Sequence, residues 1–142
     1  MRVVSREIEF DTEASEKGLS YKNLSEVVSD IVAQSGLRSG LVTVFVTGST
    51  GALITIEDEP GLREDFAAAL ERIAPLGIPY KHEEAWRDGN GHSHVRASIL
   101  GPSITIPFND SALALGTWQQ LLFLELDVRN RRRRLAVQMI GE

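Results

Sequence analysis

Three stretches toward the C-terminus repeat with a period of two, and that period constrains the fold more than any other feature of the chain. Ile104, Ile106 and Phe108 form one alternating set, Gln120, Leu122, Leu124 and Leu126 a second, and Leu135, Val137 and Met139 a third. In extended chain, alternate residues share a face, so these sets predict three strands. Asp127-Val-Arg-Asn-Arg-Arg-Arg-Arg134 joins the last two and reads as the basic tip of a hairpin. Near the N-terminus, Val4, Ile8 and Phe10 share one face of a strand, with Glu7 and Glu9 on the other. Leu41 to Thr47 is β-branched and apolar on both faces, which predicts a strand buried on both sides. After Ser49-Thr50-Gly51, Ala52 to Ile56 resumes as another strand.

Two segments carry a helical signal instead. Asn23 with Glu26 makes a capping box ahead of Leu24, Val27, Val28 and Ile31, with Gly36 as the stop. Pro60 opens a second helix after Asp58 and Glu59; Leu62, Phe66, Leu70 and Ile73 form its stripe, and Pro75 ends it. Gly77 to Gly101 is polar, glycine-containing and weakly patterned, so it reads as a functional loop. The expectation is a single α+β domain over residues 1–142, a largely antiparallel sheet packed with two main helices.

The formal charge of −5 argues against nonspecific binding to nucleic acid or to an anionic membrane, and Arg131 to Arg134 reads as a solvated hairpin tip. The chain has no cysteine, which removes disulfides, thiolate nucleophiles and cysteine zinc sites together. Met1-Arg-Val-Val-Ser-Arg-Glu lacks the apolar core of a signal peptide, and no run reaches the ~18 apolar residues of a membrane span. A cytoplasmic protein is expected.

All three histidines, His82, His92 and His94, fall in one polar segment, two of them in Asp88-Gly-Asn-Gly-His-Ser-His94. Imidazole is a ligand for borderline divalent metals and a proton carrier near neutral pH. If the segment is extended, His92 and His94 project to the same side and share a metal, with His82 closing the set and one position left to water. The alternative is a polar loop. Asp88 and Asn90 are the nearest oxygen donors, fit to orient an imidazole or, as Asp-Gly and Asn-Gly dipeptides, simply to make turns. Arg96 falls on the same side of an extended segment, where it clamps a phosphate or makes a surface ion pair. Trp118 and Gln119 follow a glycine that interrupts a strand-like run. Such a tryptophan stacks on a heteroaromatic ring or anchors a core or subunit interface.

Tyr80-Lys-His82, the block Asp88-Gly-Asn-Gly-His-Ser-His-Val-Arg-Ala-Ser-Ile-Leu-Gly-Pro-Ser103, Leu113-Ala-Leu-Gly-Thr-Trp-Gln-Gln120 and the closing Val137-Gln-Met-Ile-Gly-Glu142 together resemble the YjbQ family. Its members are often labelled secondary thiamine-phosphate synthases. The resemblance implies a small α+β protein, a homotrimer, and a histidine-lined divalent metal site, zinc or alternatively magnesium, at His82, His92 and His94. It also implies the joining of a pyrimidine pyrophosphate to a thiazole phosphate. Many members carry His-Thr-Ser or His-Thr-Thr after the third strand, where this chain reads Gly48-Ser49-Thr50. Ser49, Thr50 and Glu57 remain candidates for the site, Glu57 or Asp88 as its base. Two other readings fit the same residues: a metal-dependent hydrolase, and a non-catalytic trimer that binds a small phosphorylated or heteroaromatic metabolite.

Overall fold

The computed structural model describes residues 1–142. In chain order the elements are β1 (Arg2–Thr12), β2 (Ser20–Asn23), α1 (Ser25–Ala33), β3 (Gly40–Val46), β4 (Gly51–Ile56) and α2 (Pro60–Ile73). There follow α3 (His82–Trp86), α4 (Gly91–Leu100), β5 (Ser103–Asn109), β6 (Ala112–Leu113), β7 (Gln120–Glu125) and β8 (Arg131–Gly141). Five strands make one sheet in the order β1-β8-β3-β5-β6, and three make a second in the order β2-β7-β4. Every pairing is antiparallel.

The alternating residues explain the layering. Ile8, Phe10, Val42, Val44, Ile106, Phe108, Leu135, Val137 and Met139 point from the large sheet into one core, where Leu121 and Phe123 of β7 and Val28 and Val32 of α1 meet them. Leu124 and Leu126, of opposite parity to Phe123, enter a second core with Leu70 of α2 and Ala97 of α4. The small sheet is thus the middle layer, and β7 is buried on both faces. Burying a Leu or Phe side chain contributes on the order of 1.5–3 kcal/mol, so this doubly covered strand is a main source of cohesion. No helix is long and apolar enough to cross a membrane.

The N-terminus of α2 forms as its sequence predicts. The Glu59 side chain accepts from the Gly61 and Leu62 N–H groups, and Pro60 follows it. Within the predicted stripe, Leu70 is buried, whereas Ile73 is exposed at the helix end. α1 starts later than the capping box predicts. Leu24 is its N-cap, and Asn23 Oδ1 accepts from the Ser25 N–H at 2.9 Å.

Three expectations are corrected. β7 and β8 do not form a hairpin, because they lie in different sheets and residues 126–130 carry the chain from one layer to the other. β3 is covered on one face only: Val42, Val44 and Val46 are buried, while Leu41 and Phe45 are 46% and 43% exposed. The presumed loop from Gly77 to Gly101 contains α3 and α4. α4 is short and its apolar residues are scattered, so periodicity was a poor guide to it. Its start is held from a distance, since the Glu83 carboxylate accepts from the Gly89 N–H at 2.5 Å and the Gly91 N–H at 2.8 Å.

Candidate functional site

Helical geometry redistributes the histidines. Residues two apart on a helix point to different sides, so His92 and His94 diverge where extended chain would align them. His94 turns toward α3 and stacks at a tilt on His82, the ring centroids 4.5 Å apart. His92 is buried beside Tyr80, their ring centroids 6.3 Å apart, and borders a different hollow with Gly18, Leu76 and Val128. Burial lowers the His92 imidazole below its ordinary value of 6.5, and the nearby charge of Arg96 lowers it further.

His82 and His94 line an open cleft of about 470 Å³. One wall is the bend Thr47–Thr50 between β3 and β4, and the other is α3 with the start of α4. Asp88 Oδ1 lies 3.5 Å from His82 Nε2. With its NH2 group facing this pair, Asn90 donates to Asp88 Oδ1 at 2.7 Å and to His82 Nε2 at 3.2 Å. The opposite amide orientation gives only a 3.3 Å bond to Asp127 Oδ1, so the first orientation is preferred. Asn90 and Asp88 thus fix one imidazole of the pair. Trp86, 73% exposed at the end of α3, borders the same cleft.

Beneath the bend lies a buried polar network that the sequence reading missed. The Thr50 hydroxyl donates to Asp127 Oδ2 at 2.9 Å and accepts from Arg133 Nη2 at 2.9 Å. Arg133 also pairs through Nε and Nη2 with the two oxygens of Glu125, the Nε bond measuring 2.7 Å. Glu125 accepts from Thr12 Oγ1 at 2.5 Å. Burial would raise the Asp127 carboxyl, but hydrogen bonds from Arg131, the Val128 N–H and Thr50 outweigh it and bring the group down to about 2. A usable signal did exist. Arg133 has the same parity as Leu135, Val137 and Met139, so β8 must turn it inward. Arg132 and Arg134 face outward and pair with Glu7, Glu9 and Asp11 of β1, so the arginine run is no free basic patch.

The remaining candidates separate. Ser49 and Thr50 border the cleft, Thr50 buried and Ser49 exposed. Arg96, predicted to face the same side as His94, is 1% exposed and turned away, because the segment is helical. Its Nε donates to the Ala74 carbonyl at 2.9 Å and its Nη2 pairs with Glu71 at 3.0 Å, which ties α4 to the end of α2. Glu57 and Trp118 border another open depression, beside Asn23 and Pro60, that shares no residue with the cleft. Gln119 donates to Thr55 Oγ1 at 3.1 Å and accepts from the Gly116 N–H at 3.1 Å.

His82, His94 and Asp88 have the donor chemistry of a zinc-type ion, yet no group of three or more His, Asp or Glu residues converges on a common point. The facing bend carries Gly48, which has no side chain to offer as a ligand. An ideal Cβ there would lie 3.0 Å from the cationic Arg133 Nη1. As they stand, these residues do not fit a metal shell.

Residues 6–142 match the family described as UPF0047 protein YjbQ-like. A UPF0047 protein of Archaeoglobus fulgidus is 44% identical over 96 residues, 68% of this chain and 75% of that protein. One from Methanothermobacter thermautotrophicus is 40% identical over 116 residues, 81% of this chain and 80% of that one. The fold superposes on the crystal structure of a YbjQ-like protein of unknown function from Sulfolobus solfataricus with a TM-score of 0.88. That pair shares 28% identity, over 99% of this chain and 100% of the other.

Proposed function

The chain belongs to the UPF0047 family of YjbQ-like proteins, and from that premise we propose that its histidine cleft is the active site of a thiamine-phosphate synthase-like transferase. It joins a pyrimidine pyrophosphate to a thiazole phosphate and releases pyrophosphate. The observation that carries this reading is one cleft with three kinds of group: an oriented imidazole pair, a guanidinium edge and an exposed indole. His82 and His94 meet at 4.5 Å, Arg133 closes the floor, and Trp86 stands at the rim. Each has a use in the reaction. The carbon–oxygen bond to the diphosphate breaks with the electron pair leaving on oxygen, while the thiazole nitrogen donates its pair to the same carbon. Donors preorganised around the departing oxygens stabilise that charge. His82 accepts from Asn90 at Nε2, which leaves Nδ1 as its donor toward the leaving group, and Trp86 offers a face for an aromatic ring.

The exposed face of β3 and β8 supports assembly. Leu41, Phe45 and Ile140 line a shallow apolar groove there, as expected if further copies of this chain cover it in a homotrimer.

The test is release of pyrophosphate from the two substrates, with formation of thiamine phosphate, by wild type, His94→Ala and His92→Ala. Turnover is expected in wild type, a loss of about 100-fold or more in His94→Ala, and near-normal activity in His92→Ala. Hydrolysis of the pyrimidine pyrophosphate without the thiazole partner would point to a hydrolase, and binding without turnover to a metabolite-binding protein. Metal content of wild type and of a His82→Ala/His94→Ala variant separates this cationic-cleft reading from the expected one, centred on a divalent ion such as zinc or magnesium.

A further inference from the structure

The bend Thr47–Thr50 carries donors that nothing in the protein accepts. The backbone N–H groups of Gly48, Ser49 and Thr50 make no hydrogen bond to backbone or side chain, although flanking residues do: Val46 N–H bonds to the Pro102 carbonyl at 2.8 Å. Gly48 and Ser49 are exposed, so their N–H groups are open to solvent or to a ligand, and successive free N–H groups on a turn can bind an anion. Below them, the Arg133 side chain is 9% exposed. Its Nε and Nη2 are engaged by Glu125 and Thr50, but Nη1 bonds to no protein atom. Nη1 is also the side-chain atom nearest to the open side of Gly48. Glycine lets that guanidinium edge come close to the bend, since an ideal Cβ would lie 3.0 Å from it.

We propose that the Thr47–Thr50 bend and the Nη1 edge of Arg133 form an oxyanion subsite, which holds a phosphate or diphosphate group in the cleft that both border. The inference rests on the reading that the cleft takes phosphorylated substrates, and it assigns where the diphosphate sits. The charges nearby support it. Glu125 and Asp127 are already engaged by Arg133 and Arg131, and Asp88 lies on the opposite wall with His82. A guanidinium edge with successive amides takes a planar or tetrahedral oxyanion and disfavours a divalent cation in the same space.

Arg133 is a poor probe, because its loss strands the buried Glu125 carboxylate. Gly48 is a good one. Its φ lies outside the left-handed region, so a side chain is compatible with the backbone, and a Cβ 3.0 Å from Nη1 acts by pressing that edge away from the anion. Inorganic pyrophosphate is titrated calorimetrically into the full chain at fixed ionic strength, comparing wild type, Gly48→Ala and Gly48→Val. Wild type is expected to bind, with Gly48→Ala weaker and Gly48→Val weaker by about tenfold or more while the far-ultraviolet circular dichroism is kept, since charge-assisted bonds are lost. Should Gly48→Val unfold, Gly48→Ala carries the comparison. Absence of pyrophosphate binding in wild type, or equal affinity in the folded variants, overturns the subsite. Pyrophosphate binding that depends on Gly48, in a protein that forms no thiamine phosphate, keeps the subsite and removes the proposed reaction. Turnover indifferent to Gly48→Val does the reverse.

Discussion

The hydroxyl of Thr50 has one proton, and the structure gives it to Asp127 while Arg133 donates to the same oxygen. The residue therefore joins two ion pairs, Asp127 with the partly exposed Arg131 and Glu125 with the buried Arg133, under the bend that walls the cleft. Valine matches threonine in shape but neither donates nor accepts. Thr50→Val is expected to cost about 1–3 kcal/mol, because it leaves buried charged groups short of a partner. Ser49→Ala, at an exposed position with no side-chain bond, should stay within about 0.5 kcal/mol of wild type. Urea unfolding of both variants checks this; equal stabilities would mean that the network does not hold the bend. At this scale the sequence was legible for residue type but not for direction. The histidines were recognised as a cluster, and only the backbone conformation could tell that His82 and His94 meet while His92 departs. Arg133 was hidden because a run of four arginines reads as solvated, although strand parity assigns it inward.

α4 is the element on which the site depends. It carries His94 and follows Asn90, and its first residue packs so closely on Tyr80 that an ideal Cβ at Gly91 would lie 2.4 Å from the Tyr80 Cβ. Gly91→Ala must push the helix off Tyr80, with a cost on the order of 1–3 kcal/mol. The imidazole crosspeaks of His82 and His94 should move in the same variant. A variant as stable as wild type with unmoved crosspeaks would contradict this tight approach. Strands were easier to read than helices here. The period of two in β5 and β8 is enforced by a core on one face and solvent on the other, whereas the short β2 and β6 carry no such pattern and were not predicted. α4 shows little of the period that marks a helix, for part of its buried face is His92, Ser93 and Arg96 rather than aliphatic residues. Its capping carboxylate, Glu83, comes from another element and leaves no local signature.

For the molecule as a whole, three layers leave one broad apolar surface uncovered, the outer face of β3 and β8. Leu41 and Phe45 made β3 look buried on both sides, a pattern that the single chain does not fulfil but an assembly would. Phe45→Asp is expected to shift the protein from three chain masses to one in light scattering while keeping its far-ultraviolet circular dichroism. A wild-type monomer, or a variant that stays assembled, would mean that this face has another purpose. The overall α+β architecture was readable because it follows from alternation and caps. The assignment of β7 and β8 to separate sheets was not, since a short polar connection between two strands has the same sequence appearance whether it makes a hairpin or crosses between layers.

The central claim is that His82 and His94 form one working site and that His92 stands outside it. The most direct test is to follow all three imidazoles by long-range proton–nitrogen correlation spectra as inorganic pyrophosphate is added to the wild-type chain. Saturable shifts of His82 and His94 at a common midpoint, with His92 unmoved, are the predicted result. Shifts at His92 with the same midpoint, or no shift at His82 and His94, would contradict it.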